Sequence, residues 1–144
     1  MELNNLPAME AGAPLPEIAI NGEVLRCSYI CSNPDFPGWD SGESLDHKGF
    51  EEYCAVIEFE GVSSYKFGAP NDESLYDHPL YKLGVGFYGF YKLTESPELE
   101  LLPKHHLWVI SFHDETLQVV ALELKVISHR INTSSLKEAL DRAK

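Results

Sequence analysis

Hydrophobic and polar positions alternate along most of this chain in short runs, the period of half-buried strands, and recur at helical spacing only near the C-terminus. The cleanest run is Tyr53 to Phe59, with Tyr53, Ala55, Ile57 and Phe59 on one face and Cys54, Val56 and Glu58 on the other. Upstream, Glu17 to Ile20 and Glu23 to Ile30 are extended runs separated by Asn21-Gly22. That dipeptide readily takes the two positive-φ positions of a type I′ turn, which predicts a hairpin. Gly61 allows a second turn, after which Val62 to Phe67 reads as the strand that returns beside Tyr53 to Phe59. Gly84 to Leu93 is aromatic and extended. Leu107 to Phe112 and Leu117 to Ile127 predict a long hairpin turning at His113 to Thr116. In its return strand Val120, Leu122, Leu124 and Val126 share one face, while Glu123 and Lys125 mark the wet one.

Between these runs lie segments without period. Residues 31–50 hold Pro34, Pro37, Gly38, Gly42 and Gly49 among many acids and read as a long loop, a length that in compact domains often serves binding. Residues 68–83 read as a loop with at most one helical turn beginning near Asn71 or Asp72, since helix cannot run through Pro79. Ser135-x-x-Glu138 is a capping-box pattern, and Leu136, Ala139, Leu140 and Ala143 follow at helical spacing. Many short strands joined by turns, one terminal helix and no crossover helices predict a mainly β domain. The expected form is an antiparallel sandwich or partly open barrel with a short C-terminal helix. The 144 residues suffice for a single domain over 1–144, with 1–16 as an extended N-terminal arm.

Composition narrows the function classes. With 44% hydrophobic and 24% charged residues the chain has ordinary globular proportions. Its longest apolar stretches fall far short of the roughly 20 residues that span a bilayer, so no membrane role is expected. Residues 1–16 carry acids and prolines where a secretory signal would be basic and then apolar, which points to the cytoplasm. Cys27, Cys31 and Cys54 are odd in number and form no CxxC pair, so neither a disulfide framework nor a structural zinc site is expected. The formal net charge of -12 opposes nucleic-acid phosphates and suits solubility, or attraction of a basic partner.

Motifs for catalysis are thin. Gly84-Val85-Gly86-Phe87-Tyr88-Gly89 spells G-x-G-x-x-G, but the dinucleotide fingerprint needs a helix after it, and here an aromatic strand continues through Phe90. No Walker pattern, G-x-S-x-G elbow or HExxH occurs, and no cofactor is implied. Acids such as Glu43, Asp46, Asp72, Glu73 and Asp114 have no spacing that singles out an acid/base pair. Asn71, Asp72, His78, His113 and Asp114 form the candidate polar site: if the loop and the hairpin tip converge, they offer nitrogen and carboxylate ligands to zinc or iron. Turn chemistry explains several of the same residues without any metal.

The blocks Phe67-Gly68-Ala69-Pro70-Asn71-Asp72-Glu73-Ser74-Leu75, His78-Pro79-Leu80-Tyr81 and Phe112-His113-Asp114-Glu115-Thr116 resemble those shared by a family of small bacterial proteins without assigned activity. The resemblance covers residues 52–124 and implies a small bacterial cytoplasmic protein, with nothing catalytic. Two functions follow as expectations. One is a non-catalytic binding module, similar to the small acidic immunity or inhibitor proteins that neutralise a basic toxin. Here Asp35, Phe36, Trp39 and Asp40 of the long loop would meet the partner. The other is a small enzyme or a metal- or ligand-binding protein using the His/Asp cluster. Oligomeric state is left open.

Overall fold

The chain does turn near Asn21, one residue later than its dipeptide suggests. Asn21 is the last residue of β1 (Glu17–Asn21) and pairs with Val24, the first of β2 (Val24–Cys31). Gly22 and Glu23 form the tip, and Gly22 supplies a φ of +65° at the first central position, as hairpin turns of the primed types require. The computed structural model describes residues 2–9, 15–31, 53–68, 70, 75–86, 89–112, 115–131, 133 and 135–142. The expected loop at 31–50 lies outside them apart from Cys31, which closes β2.

Six further strands follow: β3 (Tyr53–Glu60), β4 (Ser64–Gly68), β5 (Phe90–Leu93), β6 (His106–Ser111), β7 (Thr116–Ala121) and β8 (Glu123–Ile131). They form two antiparallel sheets of four, in the orders β1-β2-β3-β8 and β4-β7-β6-β5. The sheets pack face to face as an open sandwich. Leu25, Cys27, Tyr29, Ala55, Ile57 and Phe59 of the first meet Phe90, Trp108, Ile110, Leu117 and Val119 of the second. Tilted aromatic contacts stitch the layers, Tyr29 to Phe90 at 5.5 Å and Phe59 to Trp108 at 6.3 Å between ring centroids.

Two sequence expectations fail at one corner. Val62 to Phe67 does not return beside β3: the chain crosses to the other sheet, and β4 pairs with β7, Phe67 opposite Leu117. The supposed single strand Leu117 to Ile127 likewise breaks at Leu122 and changes sheets. The two crossings run side by side, tied by Leu122 N–H to the Glu60 carbonyl at 2.9 Å and Ser63 N–H to the Val120 carbonyl at 2.8 Å. The shared apolar face is therefore divided. Val120 packs on the outer face of the second sheet, Leu122 is 40% exposed, and Leu124 and Val126 turn to the central core.

The outer faces are covered as well. Leu75, Leu80, Val85 and Leu99 lie on the outer side of the second sheet against Tyr91, Leu107, Val109 and Val120. Leu80 belongs to a single helical turn, α1 (Pro79–Lys82). Pro79 starts this turn at a position where its missing N–H costs nothing, so the helix begins at the proline instead of stopping before it. The first sheet is covered by α2 (Leu136–Arg142), whose Ala139 is fully buried on Ile30, Cys54, Val56 and Ile131. Its capping pattern is real: Ser135 Oγ accepts the Glu138 N–H at 3.2 Å. Gly84, Val85, Gly86 and Gly89 are not strand, contrary to expectation, and β5 starts at Phe90.

The N-terminal segment is a strap laid across the sandwich. Leu3 N–H bonds the Phe90 carbonyl at 2.8 Å, and Glu2 bridges Tyr91 at the β5 edge. Further on, Pro7 O accepts the Tyr29 hydroxyl at 2.7 Å and Met9 bridges Cys31. Leu3, Leu6 and Met9 pack on the central core. Among the described residues no helix is long and apolar enough to cross a membrane.

Candidate functional site

Of the polar site expected from sequence, Asn71, Asp72, His113 and Asp114 lie outside the described residues, as do Asp35, Phe36, Trp39 and Asp40. The flanks of the two blocks are nonetheless neighbours. Gly68 pairs with Thr116 across β4 and β7, and the buried Thr116 hydroxyl donates to the Pro70 carbonyl at 2.6 Å. His78 is occupied by structure: as N-cap of α1 its Nδ1 accepts the Leu80 N–H at 3.1 Å. A neutral imidazole whose Nδ1 accepts must carry its proton on Nε2, which leaves no lone pair in the ring for a metal. Among the described residues no three metal-binding side chains come together.

The glycines of the G-x-G-x-x-G stretch serve a tyrosine. A Cβ at either Gly86 or Gly89 would lie 2.9 Å from the Tyr91 hydroxyl, so both positions must be bare for that ring to fit. Burial pushes the Tyr91 hydroxyl above its ordinary value, with the Glu2 carboxylate adding to the rise and the Gly86 N–H opposing it. The strand that follows Gly89 replaces the helix a pyrophosphate would need. The three cysteines are buried and in no disulfide, and burial holds the Cys27 thiol far above its ordinary value, the opposite of an activated nucleophile.

Two features escaped the sequence reading. The first is a cavity of about 210 Å³ beneath the N-terminal strap, lined by Leu3, Leu6, Lys92, Trp108, Leu124 and Val126, with Asn5 at its side. Lys92 and Trp108 are direct cross-strand partners, and the Lys92 Nζ stands 5.3 Å from the indole centroid. The indole is fixed by donating to the Ala121 carbonyl at 3.1 Å. His106 meets the same indole edge-on at 5.8 Å, and its Nδ1 is buried with no hydrogen-bond partner. Burial lowers the His106 imidazole below its ordinary value, the Lys92 charge lowers it further, and a hydrogen bond to the Leu122 backbone opposes both. Alternation from Phe90 places Lys92 on the inner face, and that was the available signal.

The second feature is an exposed aromatic pair. Tyr76 and Tyr81 face each other with ring centroids 4.9 Å apart, yet Tyr76 is 67% and Tyr81 39% exposed. Leu83 beside them is 44% exposed, and the covering segment anchors from below through Leu75 and Leu80. Asp72, Glu73 and Asp77 accompany them in sequence against one cation, Lys82. Helical proximity across His78-Pro79 was hidden from sequence because the pair spans a turn, a cap and a helix start. In comparisons with protein-family models, curated proteins and solved structures, nothing matches this chain.

Proposed function

We propose that this chain is a non-catalytic, protein-binding module of a bacterial cytoplasm, immunity- or inhibitor-like, whose partner presents a basic segment. The observation that carries the reading is the tilted, exposed Tyr76 and Tyr81 pair within an acidic stretch. Tyrosines offer rigid contact area at low entropic cost and are enriched where binding energy concentrates. Their π faces attract guanidinium and ammonium groups, each such contact contributing about 0.5–1 kcal/mol at an exposed site. The net charge of -12 supports the same partner, since it speeds encounter with a cationic surface. Among the described residues Thr116, Tyr29 and His78 spend their polar side-chain atoms on backbone partners.

An arginine octapeptide titrated against labelled protein tests this by NMR. Shifts should centre on Tyr76, Tyr81 and Leu83, and affinity should fall with salt as the Debye length shrinks toward about 8 Å at 0.15 M. A Tyr76→Ser, Tyr81→Ser double variant, verified to keep its melting temperature, should bind about tenfold more weakly. Unchanged affinity in that variant, or shifts spread evenly over the surface, would overturn the reading.

A further inference from the structure

The positions of the two exposed tyrosines are set by their neighbours. Leu75 and Leu80 are buried on the outer side of the second sheet, and each is followed by a tyrosine that stays exposed, Tyr76 in the short turn Leu75–Asp77 and Tyr81 in α1. His78 joins the two turns: its N–H donates to the Leu75 carbonyl at 2.9 Å, and its Nδ1 accepts the Leu80 N–H at 3.1 Å. The Tyr81 N–H in turn donates to the His78 carbonyl at 3.0 Å. The backbone beneath both rings is therefore fixed before a partner arrives, and a tyrosine has only two side-chain torsions to lose on binding.

The geometry of the pair discriminates between cations. Its rings are in contact, with centroids 4.9 Å apart and planes inclined by 39°, so no cation fits between them. Tyr81 thus acts as the backing ring, and Tyr76, the more exposed of the two, presents one face outward. A lone face is a poor cage for a compact, strongly hydrated ammonium, which aromatic sites hold best by surrounding it. A guanidinium is planar and weakly hydrated, so it can stack flat on one ring while its in-plane N–H groups stay turned to water or to a carboxylate. The exposed Asp77, next in the chain, adds negative charge beside that ring.

We propose that Tyr76 is the specificity-determining residue of this surface and selects arginine over lysine in the partner, by stacking one guanidinium on the face that Tyr81 does not cover. The inference rests on the basic-partner reading and deepens it. Net charge draws both cations alike, whereas a single open ring face distinguishes them.

The test compares octa-arginine with octa-lysine, equal in length and formal charge, titrated by NMR into the labelled full chain at one ionic strength. Octa-arginine should bind about two- to fivefold more tightly, the ratio that one exposed cation–π contact supplies. Its δ-methylene protons should move upfield, the ring-current signature of stacking, a readout that needs no variant. Tyr76→Phe should keep the preference. Tyr76→Leu leaves an apolar side chain at an exposed position without a π face, and should remove most of the difference between the peptides. Equal affinities with shifts still centred on Tyr76, Tyr81 and Leu83 would overturn the arginine preference and leave the basic-partner reading intact. Shifts away from these residues with both peptides would overturn both. A preference undiminished in a folded Tyr76→Leu protein, or arginine δ-methylene protons that do not move, would overturn the role of Tyr76.

Discussion

Substituting Gly61 by alanine probes the corner at which both chain segments change sheets. Gly61 has φ +65°, a left-handed conformation that costs an L-residue about 1–2 kcal/mol relative to glycine. An added Cβ would also fall 2.5 Å from Leu122 Cδ1 and 2.6 Å from its Cγ, closer than any real contact. Leu122 is 40% exposed and can swing toward solvent, at a cost of about 0.5–1.5 kcal/mol for leaving its rotamer. Gly61→Ala should therefore destabilise the protein by about 2–3 kcal/mol. With roughly 2–4 °C per kcal/mol for domains of about this size, the melting temperature should fall by about 5–10 °C. Leu122→Ala alone should cost little. The two changes together should recover the steric part, about 1 kcal/mol, and leave the backbone part, a coupling that urea denaturation of the four proteins measures. A Gly61→Ala protein within about 0.5 kcal/mol of the parent would refute the backbone argument, and strict additivity would refute the contact.

Two further outcomes are expected. Glu58, 7% exposed, receives Arg26 Nε at 2.9 Å and Lys125 Nζ at 3.4 Å. Burial would raise its carboxyl, but hydrogen bonds with Arg26, Glu60 and Lys125 bring it below its ordinary value. A depressed carboxyl stabilises the fold fully above the unfolded value of about 4.3 and loses that contribution as pH falls through the folded one. Glu58→Gln should thus be less stable at pH 7, with the gap closing toward pH 3 in urea melts; a pH-independent gap would contradict it. Ser135→Ala should cost about 1 kcal/mol through loss of the α2 cap, whereas Ser135→Gly should cost only a few tenths, both read by chemical denaturation.

What was legible in the sequence was local. Period-two alternation located β3 with its correct inner face, and Ser135-x-x-Glu138 located the start of α2. What alternation cannot encode is which sheet a strand joins. Gly61 permits a hairpin and a corner equally, and only the pairing of Phe67 with Leu117 distinguishes them. Leu122 continued the apolar register in sequence, yet it stands outside both packed faces because the chain turns there. Pro79 was read as a helix stop when it is a start, since a proline is compatible with the first turn and excluded only from the interior. The cavity depends on residues 3, 92, 108 and 124, whose meeting is a tertiary event with no spacing to announce it.

The strap also bears on the order in which the molecule can be completed during synthesis. Glu2 and Leu3 find their partners at Tyr91 and Phe90, so roughly 90 residues of chain must be made after them before that end of the strap can dock. At about 5–20 residues per second that is a wait on the order of 5–20 s. The β1–β2 hairpin can close on its own within microseconds, but Leu3 and Leu6 stay uncovered until the second sheet exists. One wall of the cavity is thus translated well before it can be put in place.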